Sequence, residues 1–303
     1  MADTVRSLAA LQALLSDNTA GDISAQDVRD FLVSAYQVPG VVPGGRLTTE
    51  SGVPVSTSDR TSQGTIYYTP YLHNRIGLYD GTSWTLFTFT ERSLALSGLT
   101  SGLNYDVFLY DNAGTLTLEL TAWTNDTTRA TALTTQDGVY VKTGATTRRY
   151  LGTIRTTGTT TTEDSASKRL VWNQYNRVER QGRRQVSSNH TYASSARRYW
   201  NNDSASRLEI VVGDPLGTTV RVGLNGGVIA NVSGQYATIS VGLDTSTGTK
   251  LFEVFSSVAQ EMLPGGTDSV QVPVGWHYLS CMEEQNSGTG NFVSFWLTAG
   301  WWL

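Results

Sequence analysis

Apolar residues at the start of the sequence recur with the spacing of two short helices. The second segment begins after Ser24, which can cap the amide of Asp27 three residues later. Its apolar residues fall at positions i, i+3, i+4, i+7 and i+8 and therefore share one helix face. The two apolar sets are Val5, Leu8, Leu11 and Leu15, and then Val28, Phe31, Leu32, Ala35 and Tyr36.

Helices of this length are marginal in water and cannot bury their apolar faces alone. They pack either on the rest of the chain or on a partner. The Pro- and Gly-rich linker at 39–45 separates them from the β region and favours a partner. We therefore predict a helical anchor over 1–45, with Asp30 on the polar side of its second helix. The predicted partner-docking residues are Val28, Phe31, Leu32 and Tyr36.

From residue 46 onward the pattern changes to the alternation that is typical of strands. Leu116, Leu118 and Leu120 alternate with polar residues, and 107–110 is the expected partner strand. Asp80 and Gly81 lie between two apolar runs and predict a hairpin turn. These signals predict a β-sandwich over 46–185.

Tyr105 stands at the start of one of these strands, shortly after a Gly-rich turn. This arrangement is similar to the tyrosine corner of fibronectin type III domains, in which the phenol bonds to the backbone upstream. The resemblance implies a fibronectin-III-like sandwich.

The segment 186–303 also predicts β structure. The residues at 275–279 and 291–297 look like the last strands of trimeric jelly rolls of the tumour-necrosis-factor and C1q type. The final Trp301 and Trp302 are expected in a core or a subunit interface. The predicted strands are 207–212, 219–224, 237–241, 251–258, 269–273, 276–282 and 292–297.

Composition supports a mainly β fold, because 42 Thr, 29 Ser and 30 Gly make up a third of the chain. No apolar run is long enough to span a membrane.

Charge is unevenly distributed along the sequence. The segment 142–207 has net charge +9, whereas the flanking segments 1–141 and 208–303 have net charges of −7 and −6. Such a basic segment occurs in nucleic-acid-binding proteins, but we expect it to meet acidic protein surface, because arginine dominates it.

Chemistry-bearing residues are sparse. His73, His190 and His277 are far apart in sequence, and Cys281 is the single cysteine. No recognised catalytic, phosphate-binding or metal-binding motif is present. We therefore expect no metal, no cofactor and no enzymatic activity.

Two short segments combine aromatic rings with arginine and asparagine. The first contains Trp172, Tyr175 and Arg177, and the second contains Arg198 and Trp200. Rings that stack on sugars beside hydrogen-bonding side chains suit a host-surface glycan. The same residue types are enriched at subunit interfaces. Both interpretations remain open from the sequence.

The segments at 7–15 and 21–30 resemble the N-terminal docking segment of structural proteins of tailed bacteriophages. The runs at 148–155 and 172–178 are similar to a segment of phage fibre, spike and head-decoration proteins. This resemblance implies a homotrimeric fibre or spike on the outer surface of the virion, bound to capsid, portal-proximal or tail proteins. The alternatives are a capsid decoration, cement or adaptor protein, and a carbohydrate-binding module or depolymerase.

Overall fold

A computed structural model describes residue 13 and residues 23–36, 43–232, 234–259 and 261–303. Apart from residue 13, the predicted first helix lies outside the described residues, as does most of the linker. In the described ranges the chain is mainly β, as predicted, with one α-helix, α1 (Ala25–Tyr36), and a short 3-10 turn, Trp200–Asn202.

Fourteen strands are described in the first half. They are β1 (Gly45–Thr48), β2 (Arg60–Gln63), β3 (Thr65–Pro70), β4 (Arg75–Tyr79), β5 (Trp84–Thr88), β6 (Arg92–Ala95), β7 (Asn104–Asn112), β8 (Thr115–Ala122), β9 (Leu133–Gln136), β10 (Val139–Lys142), β11 (Ala145–Arg155), β12 (Thr162–Asp164), β13 (Lys168–Arg169) and β14 (Val171–Asn173). Eleven of these fourteen strands form three antiparallel groups, and β2, β12 and β13 belong to a sheet that continues into the second half. One sheet has the order β1-β3-β6, another β8-β7-β11-β10-β9 with β14 on β11, and β4 pairs with β5.

These groups enclose one apolar core, as a sandwich does. Leu47 and Ile66 enter it from β1 and β3, while Leu109 and Ile154 enter it from β7 and β11. The amide of Thr100 donates a 2.8 Å hydrogen bond to the Tyr105 hydroxyl, which confirms the predicted tyrosine corner.

The strands of the second half are β15 (Glu179–Tyr192), β16 (Arg198–Tyr199), β17 (Arg207–Val212), β18 (Thr218–Ala230), β19 (Ala237–Leu243), β20 (Lys250–Ser256), β21 (Gly265–Val272), β22 (Gly275–Gln285) and β23 (Gly290–Trp302). Two four-stranded arrays face each other, β17-β22-β19-β20 and β15-β23-β18-β21. The eight strands can be numbered in chain order, so that β15 is strand 1, β17 is strand 2 and β23 is strand 8. With these numbers the strand orders of the two arrays are 2-7-4-5 and 1-8-3-6. This is the strand order of a jelly roll, as predicted.

The second core lies between these two arrays. Ile210 and Ile239 enter it from one array, and Val222 and Phe295 from the other. The inward residues alternate with outward ones along each strand, so the core and the outer faces are set by the pairing register.

The two halves share hydrogen-bonded structure. β2 pairs with β12, β12 with β13, and β13 runs parallel to β17, so the first array of the jelly roll continues into strands of the first half. The expected division at 185/186 falls inside β15, which pairs along its length with β23. The strand as a whole therefore belongs with the C-terminal array.

The end of the predicted linker is part of the β body. Gly44 is buried, and its amide donates a 2.8 Å hydrogen bond to the carbonyl oxygen of Arg75. Gly45 begins β1, and a Cβ on Gly44 would lie 2.0 Å from the carbonyl oxygen of His73. Glycine is therefore required by a close backbone approach at this point.

Candidate functional site

Helix α1 begins with the capping arrangement predicted from its sequence. The Asp27 amide donates to the Ser24 hydroxyl at 3.2 Å, and the Ser24 amide donates to the Asp27 carboxylate at 2.8 Å. The two side chains thus satisfy backbone amides that the first helical turn leaves unpaired.

The apolar face of α1 is open to solvent in the single chain. Val28, Phe31 and Leu32 keep 46%, 43% and 60% of their surface exposed. Asp30, expected on the solvated polar side, is fully buried and accepts a 2.8 Å hydrogen bond from Gln26. The covered side of the helix is therefore the polar one. Tyr36 ends α1, and its side chain lies outside the described residues.

Trp172 is fully buried on β14, next to Gly213 just after β17. The Arg177 guanidinium lies 5.3 Å from the centre of its ring and forms a 3.3 Å ion pair with Asp214. Tyr175, which is half-buried, stacks with Arg149 at 5.0 Å. The arginines of this segment thus pack on rings within the chain.

Trp200 is also fully buried, in contact with other aromatic rings. Its ring centre lies 5.1 Å from Phe295 and 5.0 Å from His190. Beside it the buried Glu283 carboxylate binds Arg198 at 2.7 Å and His190 at 2.5 Å. This aromatic and ionic cluster joins the two arrays of the jelly roll.

Burial corrects one part of the expected glycan or subunit interface. The indole rings of Trp172 and Trp200 are covered by the protein itself, so neither can stack on a sugar or meet a second subunit. Tyr175, Arg177 and Arg198 are partly exposed, and their role at an interface stays a prediction.

Many arginines of the basic segment have acidic partners within the same chain. Several of these partners lie in the flanking acidic segments, so part of the uneven charge distribution is matched within the chain. The ion pairs are Arg148–Glu119, Arg155–Asp126, Arg169–Asp164, Arg198–Glu283 and Arg207–Glu209.

His277 pairs with an acid but with no nucleophile. Its Nδ1 lies 2.6 Å from an oxygen of Asp244, and its buried Nε2 has no hydrogen-bond partner. No hydroxyl or thiol of the described residues is therefore placed for activation by this pair. Burial raises the pKa of the Cys281 thiol well above its usual value.

Metal sites and membrane-spanning helices have distinct structural requirements. The described part of the chain contains no group of three or more His, Cys, Asp or Glu residues arranged to hold a metal ion. None of its helices has the length and apolar character needed to cross a bilayer.

The outer face of β15-β23-β18-β21 carries a shallow depression of about 650 Å³. On β23 the core takes Phe295, Leu297, Ala299 and Trp301, while the alternate residues face outward. The floor contains three small residues on adjacent strands, which are Gly223, Thr298 and Gly300. Glu179 and Gln181 line one side, and Arg221, Thr267 and Ser269 line the other.

Two exposed indoles flank this depression along β23. Trp296 and Trp302 keep 52% and 55% of their surface exposed and point to the same side of the sheet as Thr298 and Gly300. They are six positions apart in the sequence, which corresponds to about 20 Å along a strand. The alternation Trp296, Thr298, Gly300, Trp302 is the sequence signal that could have indicated this surface.

No protein-family model and no curated protein matches this chain. The chain is similar to the solved structure of Eiger TNF from S. frugiperda, at 8% identity over 41% of this chain and 91% of that one, with a TM-score of 0.25. It is also similar to the VP2 subviral particle of infectious bursal disease virus, at 12% identity over 86% of this chain and 69% of that one, with a TM-score of 0.31.

A third similar structure is TmCBM61 in complex with β-1,4-galactotriose. Its identity is 14%, over 39% of this chain and 86% of that one, with a TM-score of 0.19. Likenesses at these TM-scores assign neither a family nor an activity to this chain. Its function is therefore inferred from its own residues.

Proposed function

We propose that this chain is a non-enzymatic structural protein of a tailed-bacteriophage particle, a homotrimeric fibre or spike that aids host adsorption. The observation that carries the proposal is the open apolar face of α1, formed by Val28, Phe31 and Leu32. Exposed apolar surface of this kind is typical of protein interaction sites. The resemblance of the N-terminal segment to phage docking segments supports the same role.

In this proposal α1 docks on a capsid, portal-proximal or tail protein, and the β body projects from the outer surface of the virion. A short amphipathic helix gains most of its stability by laying its apolar face in a groove of a partner. Among the described residues, the two sandwich cores contain no residue of α1, so its apolar face is available for attachment.

The test is the number of copies per purified particle. Deleting residues 1–38 should leave a folded β body that no longer incorporates. Phe31→Ala should weaken attachment by roughly 2 kcal/mol or more, the usual effect of truncating an aromatic anchor. Arg29→Ala is the matched control, because Arg29 is exposed on the same helix but is not part of the apolar face.

Equal incorporation of Phe31→Ala and the unaltered chain would refute docking through α1. An insoluble deletion variant would instead assign the helix to the core of the body. Light scattering at micromolar concentration tests the trimer, and a monomeric mass would refute it. Immunogold labelling of particles with antibody to the jelly roll separates a tail fibre from a head-decoration protein.

A further inference from the structure

We propose that the outer face of β15-β23-β18-β21 binds an uncharged linear oligosaccharide, which lies along β23 between the indoles of Trp296 and Trp302. This inference goes beyond attachment to a particle, because it assigns a ligand class to the body itself. It concerns none of the residues of α1.

The shape of this surface suits a ligand of that size. Its volume, about 650 Å³, lies within the range of ligand-binding clefts. The floor is open because Gly300 has no side chain. A Cβ at that position would meet only the Glu179 carboxylate, at 3.6 Å.

Unused hydrogen-bonding groups surround the floor. Among the described residues, the side chains of Glu179, Gln181 and Arg221 have no hydrogen-bond or ion-pair partner. Together they offer carboxylate, amide and guanidinium groups, which suit the hydroxyls of a sugar.

The charge of this face favours an uncharged ligand. Glu179 is the acidic group on the outer face, and Arg183 and Arg221 are the basic groups there, whereas Asp268 pairs with the core-facing Val222. The face therefore has no run of like charges along the groove that would attract a polyanion or a polycation.

The two indoles supply the apolar part of the contact. A pyranose ring presents C–H groups on one face, which pack on an aromatic ring while its hydroxyls bond to polar neighbours. Because Trp296 and Trp302 lie about 20 Å apart along the strand, they suit the two ends of a chain of sugars.

The same surface is a poor centre for a contact between copies of this chain. Subunit interfaces are most apolar at their centre and polar at the rim. Here the centre is formed by Gly223, Thr298 and Gly300 with polar neighbours, and the large apolar side chains stand at the two ends. A hydrated ligand rich in hydroxyls matches this distribution.

The experiment measures binding of cellohexaose, xylohexaose, mannohexaose and maltohexaose to the full chain by calorimetry. At least one is expected to bind, and Trp296→Ala and Trp302→Ala should each weaken it roughly tenfold. Gly300→Val should abolish binding, because its side chain fills the floor without a backbone clash. Phe255→Ala is the control, since Phe255 is 50% exposed on β20 of the opposite array.

Melting curves of all variants establish that they are folded. If none of the four sugars binds at millimolar concentration, or if the three variants bind as the unaltered chain does, the inference is overturned. A fall in solution mass caused by Trp302→Ala or Gly300→Val would also overturn it, because the face would then be a subunit contact. Loss of particle incorporation in α1 variants leaves this result unaffected, so the two proposals fail separately.

Discussion

A buried ion pair joins the two halves of the body and allows a direct test of what holds them together. The Arg129 Nε atom lies 2.7 Å from one oxygen of Asp106, and its Nη2 atom lies 3.3 Å from the other. The same Nη2 donates a 2.7 Å hydrogen bond to the carbonyl oxygen of Gly213, just after β17. Asp106 also accepts a 2.7 Å hydrogen bond from the Thr153 hydroxyl.

We expect Arg129→Met to lower the free energy of unfolding by about 3–5 kcal/mol, because it leaves the buried Asp106 carboxylate without a counter-ion. Asp106→Asn in the same chain should recover part of this loss, since it removes the unpaired charge. The four chains of this double-mutant cycle are compared by urea unfolding at neutral pH. A loss below about 1 kcal/mol for Arg129→Met would refute the reasoning, because even a solvent-exposed ion pair can contribute that much to the free energy of unfolding.

The pH dependence of the free energy of unfolding tests whether the charge of Asp106 causes the loss in Arg129→Met. Burial raises the pKa of Asp106, although Arg129 and Thr153 act in the opposite direction. A carboxyl with a raised pKa in the folded state destabilises the protein most above that pKa, and the penalty disappears as the pH falls toward the unfolded value of about 3.9. The deficit of Arg129→Met should therefore shrink as the solution is acidified. A constant deficit would show that the charge of Asp106 is not its cause.

Three further outcomes are expected. Tyr105→Phe removes the 2.8 Å hydrogen bond from the Thr100 amide and should lower the free energy of unfolding by about 1 kcal/mol in a denaturant titration. Cys281 is fully buried with a raised thiol pKa, so a thiol reagent at mildly alkaline pH should label it only after unfolding; rapid labelling of the native protein would contradict this. Gly152→Ala would place a Cβ 2.0 Å from the carbonyl oxygen of Trp172 and should cost about 1–3 kcal/mol, seen as a lower melting temperature.

Strands with one apolar face could be predicted from the sequence. The prediction at 207–212 coincides with β17 at both ends, and the hairpin around Asp80 and Gly81 is formed by β4 and β5. In these segments the buried face needs apolar residues at every second position, so the periodicity alone identifies them.

β15 was not predicted, because its core-facing positions carry charged residues. Arg180 and His190 occupy two of them, and their partners, Asp164 and Glu283, belong to other strands. A single sequence does not show such pairings, so the segment lacks the alternation of an ordinary strand.

The candidate glycan residues were harder to predict for a related reason. Trp172 and Trp200 have the composition of a binding surface but face the core, whereas Trp296 and Trp302 face outward. A shift of one residue in pairing register moves a side chain to the opposite face of the sheet. Residue type alone therefore does not decide which tryptophans are accessible.

The central position of β23 has a consequence for folding kinetics. Its neighbours in the sheet are β15 and β18. Most of the sequence of the jelly roll lies between β15 and β23. Closing such long loops before any pairing forms makes this topology slow to fold. Until β23 inserts, β15 and β18 expose unpaired edges that can capture a strand of another chain. Refolding yield should therefore fall as protein concentration rises, even when the native protein is soluble at that concentration.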